Sequence, residues 1–245
     1  MIRYLSELPE ALAYLISLGA FWLFAVGGLL VARRLLDRAG VPRTQPVMAG
    51  WATCLAALTA LLFTFVIANV WLGTNQVRAR VNGEAAAIRM LARDVSPAQR
   101  DLLRAYARSE ANDEWPKLCG GDGSPITAAA LQALEVAPKP TSDGVRNDMY
   151  SQLAVLENLR YDRLQAAKAS IPTEIYVALV VLAALMLIVT FFGHHENLWF
   201  HLGLTLALAT ALATLFWLTL QFDYPFCGGA VMGPGAIQDA IRSIR

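Results

Sequence analysis

Apolar and polar positions are segregated into blocks along this chain. Residues 11–32, 47–73, 175–193 and 197–222 contain no Asp, Glu, Lys or Arg. Each is close to or above the roughly 20 helical residues needed to cross a hydrocarbon core of about 30 Å, so they predict four transmembrane helices. Residues 74–171, between the second and third blocks, have a different rhythm. Val77, Val81, Ala85, Ile88, Leu91 and Val95 recur at three or four residues with no intervening proline, so the second span is expected to run on as an amphipathic stalk.

Ser96-Pro97-Ala98-Gln99 supplies an N-cap serine, a proline at the first helical position and a glutamine at the third, which is a capping box. The helix it opens carries Leu102, Leu103, Tyr106 and Trp115 and is expected to stop at Pro116, because proline disfavours helix in the residue before it. A loop at 119–125, a short helix at 127–136 and a linker at 137–144 follow. Residues 145–169 then form a long amphipathic helix through Met149, Leu153, Leu156 and Leu164, with Glu157, Arg160, Asp162 and Arg163 as a charged flank. Pro172 opens the third span, with Glu174 in its first turn, where the helix dipole favours an acid. No strand pairing or internal repeat is visible.

The fold class is therefore all-α: a polytopic membrane protein with four transmembrane helices and a helical extramembrane domain between the second and third. The expected organisation is a first hairpin at 1–73, an extramembrane domain at 74–171, and a second hairpin at 172–245 ending in a short tail. Both termini and the middle section then share one side of the membrane.

Composition agrees with a chain largely outside water: 56% of the 245 residues are hydrophobic and 16% charged, against about a quarter charged in soluble domains. The start of the chain has Arg3 balanced by Glu7 and Glu10 rather than a basic region, so the first span is read as retained, not as a cleaved signal. Residues 74–171 hold 13 Lys/Arg and 12 Asp/Glu, a balance that offers no field for nucleic acid. The partners expected are the lipid bilayer, inorganic ions and further copies of the chain.

Orientation has two signals. Arg33, Arg34, Arg38 and Arg43 after the first span make that short loop cytoplasmic by the positive-inside rule, which puts the middle section outside, in a plasma (inner) membrane. Arg78, Arg80, Arg89, Arg93, Arg160, Arg163 and Lys168 lie near the membrane on the opposite side, within a loop longer than those the rule covers. The cysteines at 54, 119 and 227 form no metal spacing. Cys119 and Cys227 fall on one side of the membrane, and a disulfide between them requires that side to be oxidising.

The second span places Ala52, Ala56, Ala60, Thr64 and Ala68 at intervals of four, and the fourth has a similar face in Gly203, Ala207, Ala211 and Thr214. Such small faces serve close helix packing in lipid, where the hydrophobic drive between helices is weak. The other reading is a narrow pore lined by Ala60, Thr64, Phe65, Ala68 and Asn69, with Phe63, Phe65 and Ile67 near a constriction. His194 and His195 are adjacent, so only one can share a face with His201. The segment reads as a polar turn with Trp199 as an interfacial anchor, and no metal site or cofactor is expected. The spans lack carboxylates for a proton relay, and no nucleophile–base, HExxH or paired-aspartate arrangement points to an enzyme. No catalytic residues are assigned.

Several stretches together resemble a bestrophin-like domain-of-unknown-function family of membrane proteins. They are the two spans around an Arg-rich loop, LLRAYARSEANDEWPKL at 102–118, LRYDRLQAAKASIP at 159–172 and the closing QFDYPFCGG. Tyr106, Trp115 and Pro116 match the family's middle motif, and Asp223, Pro225, Phe226 and Gly228 match its C-terminal one. The resemblance implies a distant likeness to bestrophins, which are homopentameric anion channels with four spans per subunit and a cytoplasmic helical domain. The function expected is a homo-oligomeric ion channel, with anions as the ions carried. The alternative is a non-conducting sensor or scaffold whose helical domain binds a partner. Asp223 is expected to mark the exit of the fourth span and to pair with Arg160 or Arg163.

Overall fold

The structure is a computed structural model that describes residues 4–5, 8–40, 46–138, 143–193, 197–227 and 232–244, with the backbone alone at 46–49. Helices dominate, and no strand occurs among the described residues. They are α1 (Glu10–Ala39), α2 (Pro46–Asp94), α3 (Pro97–Ser109), a π turn (Glu110–Glu114), a 3-10 helix (Trp115–Gly120), α4 (Pro125–Val136), α5 (Asp143–Lys168), α6 (Thr173–Phe192), α7 (Leu198–Asp223) and α8 (Gly235–Ser243). Four of these, α1, α2, α6 and α7, are long and apolar enough to cross a membrane. The second span does continue unbroken: α2 runs for 49 residues.

The chain divides into two compact units. One contains residues 1–71 and 171–223, and the other contains 72–170 and 224–245. Residues 224–245 thus join the extramembrane helices rather than the second hairpin. They are not a bare tail: α8 buries Ile237 and Ala240, with Ile244 just beyond it, in the same core as Leu103, Tyr106 and Leu118.

In the membrane unit α1 packs on α7 and α6. Van der Waals fit and a few polar bridges do this work, as expected in lipid. Trp22 donates from Nε1 to Thr210 at 2.9 Å, Tyr14 meets Trp217 edge to face with ring centroids 5.3 Å apart, and Gly28 lies directly against the ring of Phe191. A Cβ at Gly28 would fall 2.3 Å from that ring, so only glycine permits this approach. Gly40 ends α1 in the left-handed conformation at φ 62°, its N–H returning to the Leu36 carbonyl.

Of the small-residue face on α7 only Thr214 contributes to this packing, its hydroxyl lying 3.3 Å from that of Tyr14. Gly203, Ala207 and Ala211 are exposed, and α7 buries His201, Thr205, Ala209, Ala213, Phe216 and Leu220 instead. On α2 the buried positions are Thr59, Phe63, Val66 and Val70, while Ala60, Thr64 and Ala68 are exposed.

The extramembrane unit forms around one apolar core drawn from α2, α3, α4, α5, α8 and the turns. Ser96 caps α3 as expected: its hydroxyl accepts from the Gln99 N–H, and Gln99 Oε1 accepts from the Ser96 N–H at 3.0 Å. The helix does not stop cleanly at Pro116. Its α form ends at Ser109, widens into the π turn, where Trp115 N–H bonds the Glu110 carbonyl, and tightens into the 3-10 helix that begins at Trp115. Pro116 has no N–H to extend either ladder, so the backbone changes pitch there instead.

Candidate functional site

Two arrangements carry chemistry, one in each unit. In the extramembrane unit, helix faces that are apolar for most of their length end in charges. The buried positions of α5 run Met149, Leu153, Leu156 and then Arg163. Those of α3 run Leu103, Tyr106 and Ala107, and the π turn adds Glu110 and Glu114. Glu84 interrupts the buried stripe of α2 between Val81 and Ala85. Two members of the charged flank read from sequence, Arg160 and Arg163, therefore point inward, and the Arg163 side chain is fully buried.

Arg163 donates from Nε to Glu84 Oε2 at 2.8 Å and from Nη2 to Glu114 Oε1 at 2.9 Å, and Nη2 also lies 3.1 Å from Glu110 Oε1. Arg160 clamps Glu114 with two bonds, 3.2 Å from Nε and 2.6 Å from Nη2. Ser124 N–H gives Glu114 a further donor at 3.0 Å, and Tyr106 donates to Glu84 at 3.0 Å. The Arg163 guanidinium also lies 5.4 Å from the centre of the Trp115 ring, a cation–π contact. Arg163 thus joins three helical segments that are distant in sequence.

Burial works against charge throughout the cluster, and the partners decide which groups stay ionised. For Glu114 burial is the largest influence, yet the Arg160 bond, the Arg163 charge and the Ser124 N–H together hold its pKa below the ordinary value. Glu110 is pushed well above it, by burial first and then by the Glu84 charge. Burial also raises the Tyr106 hydroxyl, with Glu110 and Glu84 adding to the effect. Arg163 is desolvated, but Glu110 and Glu84 more than restore its charged form. No group of acids, histidines or cysteines suited to a metal ion occurs among the described residues.

The family-motif residues serve this unit and its neighbour separately. Trp115 donates from Nε1 to the Met232 carbonyl at 3.3 Å and meets Phe226 edge to face at 5.7 Å. Pro116 sits in the first turn of the 3-10 helix, and Pro225 is buried in the turn after α7. Cys119 and Cys227 form a disulfide, with Cα atoms 4.8 Å apart. Arg160 and Arg163, the partners expected for Asp223, are bonded to glutamates within the extramembrane unit. Asp223 accepts from the Ile171 N–H at 2.8 Å and from the Tyr176 hydroxyl at 2.9 Å, fastening the end of α7 to the start of α6. Gly228, His194 and His195 lie outside the described residues. His201 is buried, with Nε2 2.9 Å from the Thr190 carbonyl, which ties α7 to α6.

In the membrane unit, Ala60, Thr64 and Ala68 line a groove of about 650 Å³ with Phe63, Ile67 and Trp71. Leu215, Leu218 and Phe222 of α7 form its other wall, where Trp71 meets Phe222 edge to face at 4.9 Å. Phe65 and Asn69 do not line this groove. One residue further on is about 100° around a helix, so they share an adjacent face with Leu61 and Leu72, and all four are exposed. Asn69 gives its amide donor to the Phe65 carbonyl at 2.7 Å. The five pore candidates are thus divided between two faces.

Helix composition, span number and the helical insertion between the second and third spans define a multi-pass membrane protein. Residues 19–237 match the Bestrophin-like domain, and the chain belongs to that family. The fold is similar to crystal structures of a bacterial bestrophin homologue from Klebsiella pneumoniae. A point variant of that protein matches with a TM-score of 0.71 at 14% identity, over 94% of this chain and 98% of that one. The form phased on zinc matches with a TM-score of 0.71 at 14% identity, over 94% and 96% of the two chains. A crystal structure described as a membrane protein matches with a TM-score of 0.70 at 15% identity, over 94% and 97%. No curated protein sequence matches the chain.

Proposed function

We propose that the protein is the subunit of a homo-oligomeric ion channel, with anions as the transported class and a pentamer as the assembly the family suggests. The carrying observation is on α2. Its face of Leu61, Phe65, Asn69 and Leu72 is left exposed by the rest of the chain, and so is the small-residue edge of Ala60, Thr64 and Ala68 beside it. In this reading the small edge and its groove receive the neighbouring subunit, and the Phe65–Asn69 face turns to the axis. Phe65 then makes an apolar constriction and Asn69 its polar mouth. The four spans carry neither Asp and Glu nor Lys and Arg, so the anion class rests on likeness to bestrophins rather than on a charged ring.

Reconstituted, assembled protein in a planar bilayer tests this. Conductance that rises on Phe65→Ala supports the assignment, whereas silence across voltages and anions excludes a channel and leaves the scaffold reading. Ala60→Leu with Thr64→Leu should weaken assembly rather than change single-channel conductance.

The extramembrane unit is further proposed to face the extracytoplasmic side of the plasma membrane, opposite to what likeness to bestrophins implies. The Cys119–Cys227 disulfide supports this because such bonds persist in oxidising compartments. Arg33, Arg34 and Arg38 at the other end of α1 support it through the positive-inside rule. Alkaline phosphatase fused after Arg245 should be active, and a fluorescent protein that matures only in the cytoplasm should stay dark there. The reverse pattern would overturn the orientation.

A further inference from the structure

The cluster around Arg163 contains one carboxyl more than its guanidinium groups can neutralise. Glu84, Glu110 and Glu114 have fully buried side chains, and the only cations among them are Arg160 and Arg163. Both nitrogens of Arg160 that bond are on Glu114, and Arg163 serves Glu84 and Glu114 with good geometry. Glu110 receives no hydrogen bond at either oxygen, and its approach to Arg163 Nη2 is an ion-pair distance alone. Among its acidic neighbours Glu84 acts on it most strongly, by charge and through contact between the two carboxyl groups. Two like charges so close and so dry do not both ionise.

We propose that Glu110 is a proton-binding site of the extramembrane unit: it is held as a neutral carboxylic acid that donates to Glu84, and its deprotonation loosens the joint between α2, α3 and α5. The groups facing it are few. From α2 comes Glu84, from α3 the Tyr106 hydroxyl, from its own turn Glu114, and from α5 Arg160 and Arg163. Asp113 of the same turn is partly exposed. Helix α4 brings the uncharged Thr127, with Glu135 at its far end, and the Asp239 and Arg242 of α8 are exposed and pair with each other at 3.3 Å. Glu110 and Glu114 open and close the π turn four residues apart, and both are buried. Local π turns often mark functional positions.

The raised pKa of Glu110 agrees with this and gives the sign. A carboxyl that holds its proton more tightly when folded contributes stability that is fully present below the unfolded value of 4.5 and is lost as pH rises through the folded one. Deprotonation would leave Glu84 and Glu110 repelling across the joint. The proposal is independent of whether the protein conducts.

Infrared titration and thermal unfolding of the purified, detergent-solubilised full chain test it. At neutral pH the wild-type spectrum should contain a protonated-carboxyl band that bleaches in alkali and is missing from Glu110→Gln. The melting temperature of the wild type relative to Glu110→Gln should fall as pH rises from mildly acidic to alkaline. A flat difference, or a band that survives the substitution, overturns the proposal. If Glu110→Gln does not fold, Glu110→Asp decides, because it keeps the acid but moves it: a displaced band supports the site, and an unchanged one refutes it.

Discussion

Arg163 on α5 donates from Nε to Glu84 on α2 at 2.8 Å, and neither side chain is reached by solvent. The two residues are 79 positions apart, so this contact carries tertiary information that no local propensity supplies. Removing one member of such a pair leaves the other charged without water or partner.

Arg163→Met should therefore destabilise the extramembrane unit by about 3–5 kcal/mol, the range for breaking a buried ion pair. Thermal or denaturant unfolding in detergent measures it. Arg163→Met combined with Glu84→Gln should recover part of the loss, because the stranded carboxylate has then gone.

Acid should act on the cluster through Glu114. Its folded pKa is depressed, so its contribution is present above the ordinary glutamate value of 4.5 and is lost as pH falls through the lower folded value. Glu114→Gln should weaken the protein at neutral pH and flatten its acid limb, read as melting temperature against pH.

Opening the Cys119–Cys227 bridge, by reductant or by the double substitution to serine, should cost about 2 kcal/mol, the low end of the usual range. The bridged cysteines are 108 positions apart and enclose α6 and α7, which stay restrained in lipid when the aqueous helices unfold. A shift in melting temperature with reductant, absent from the double variant, would establish the bridge.

At the membrane end, Asp223→Asn should loosen the α6–α7 pairing, since Asp223 accepts from both the Ile171 N–H and the Tyr176 hydroxyl. The loss is expected to be about 1–3 kcal/mol. Tyr176→Phe should share much of it, so the double variant should fall short of the sum. Oligomer mass need not change, because Asp223 and Tyr176 act within one subunit.

Gly28→Ala tests packing directly. The added methyl meets the Phe191 ring at 2.3 Å, and displacing that ring should cost about 1–3 kcal/mol. Phe191→Leu in the same chain should return stability.

The spans and the α3 cap were legible because each is written locally, in an uncharged run or a four-residue capping box. The C-terminal helix was legible too: Ile237, Ile241 and Ile244 recur at the helical spacing, but eleven residues after a proline are easily taken for a tail. The charge cluster was not read, although it had a local trace. Arg160 and Arg163 continue the apolar stripe of α5, as Glu110 and Glu114 continue that of α3, so the charges occupy positions where leucine is expected. What the sequence could not show is that these faces meet. The π turn was also hidden, because its cause combines Pro116 with the packing of Trp115 against Phe226 and Arg163. Asp223 was matched to Arg160 or Arg163 by charge and membrane side alone, and both arginines are bonded to glutamates of their own unit.

The π turn makes the cluster a matter of chain length as much as of chemistry. Relaxing Glu110–Glu114 to an ordinary α turn would alter the register by a single residue and swing Glu114 about 100° around the axis, away from Arg160 and the Ser124 N–H. Deleting one surface residue of this turn, Asn112, along with that relaxation would offset the swing and return Glu114 to about its present direction, so the extra residue and the wider pitch compensate each other.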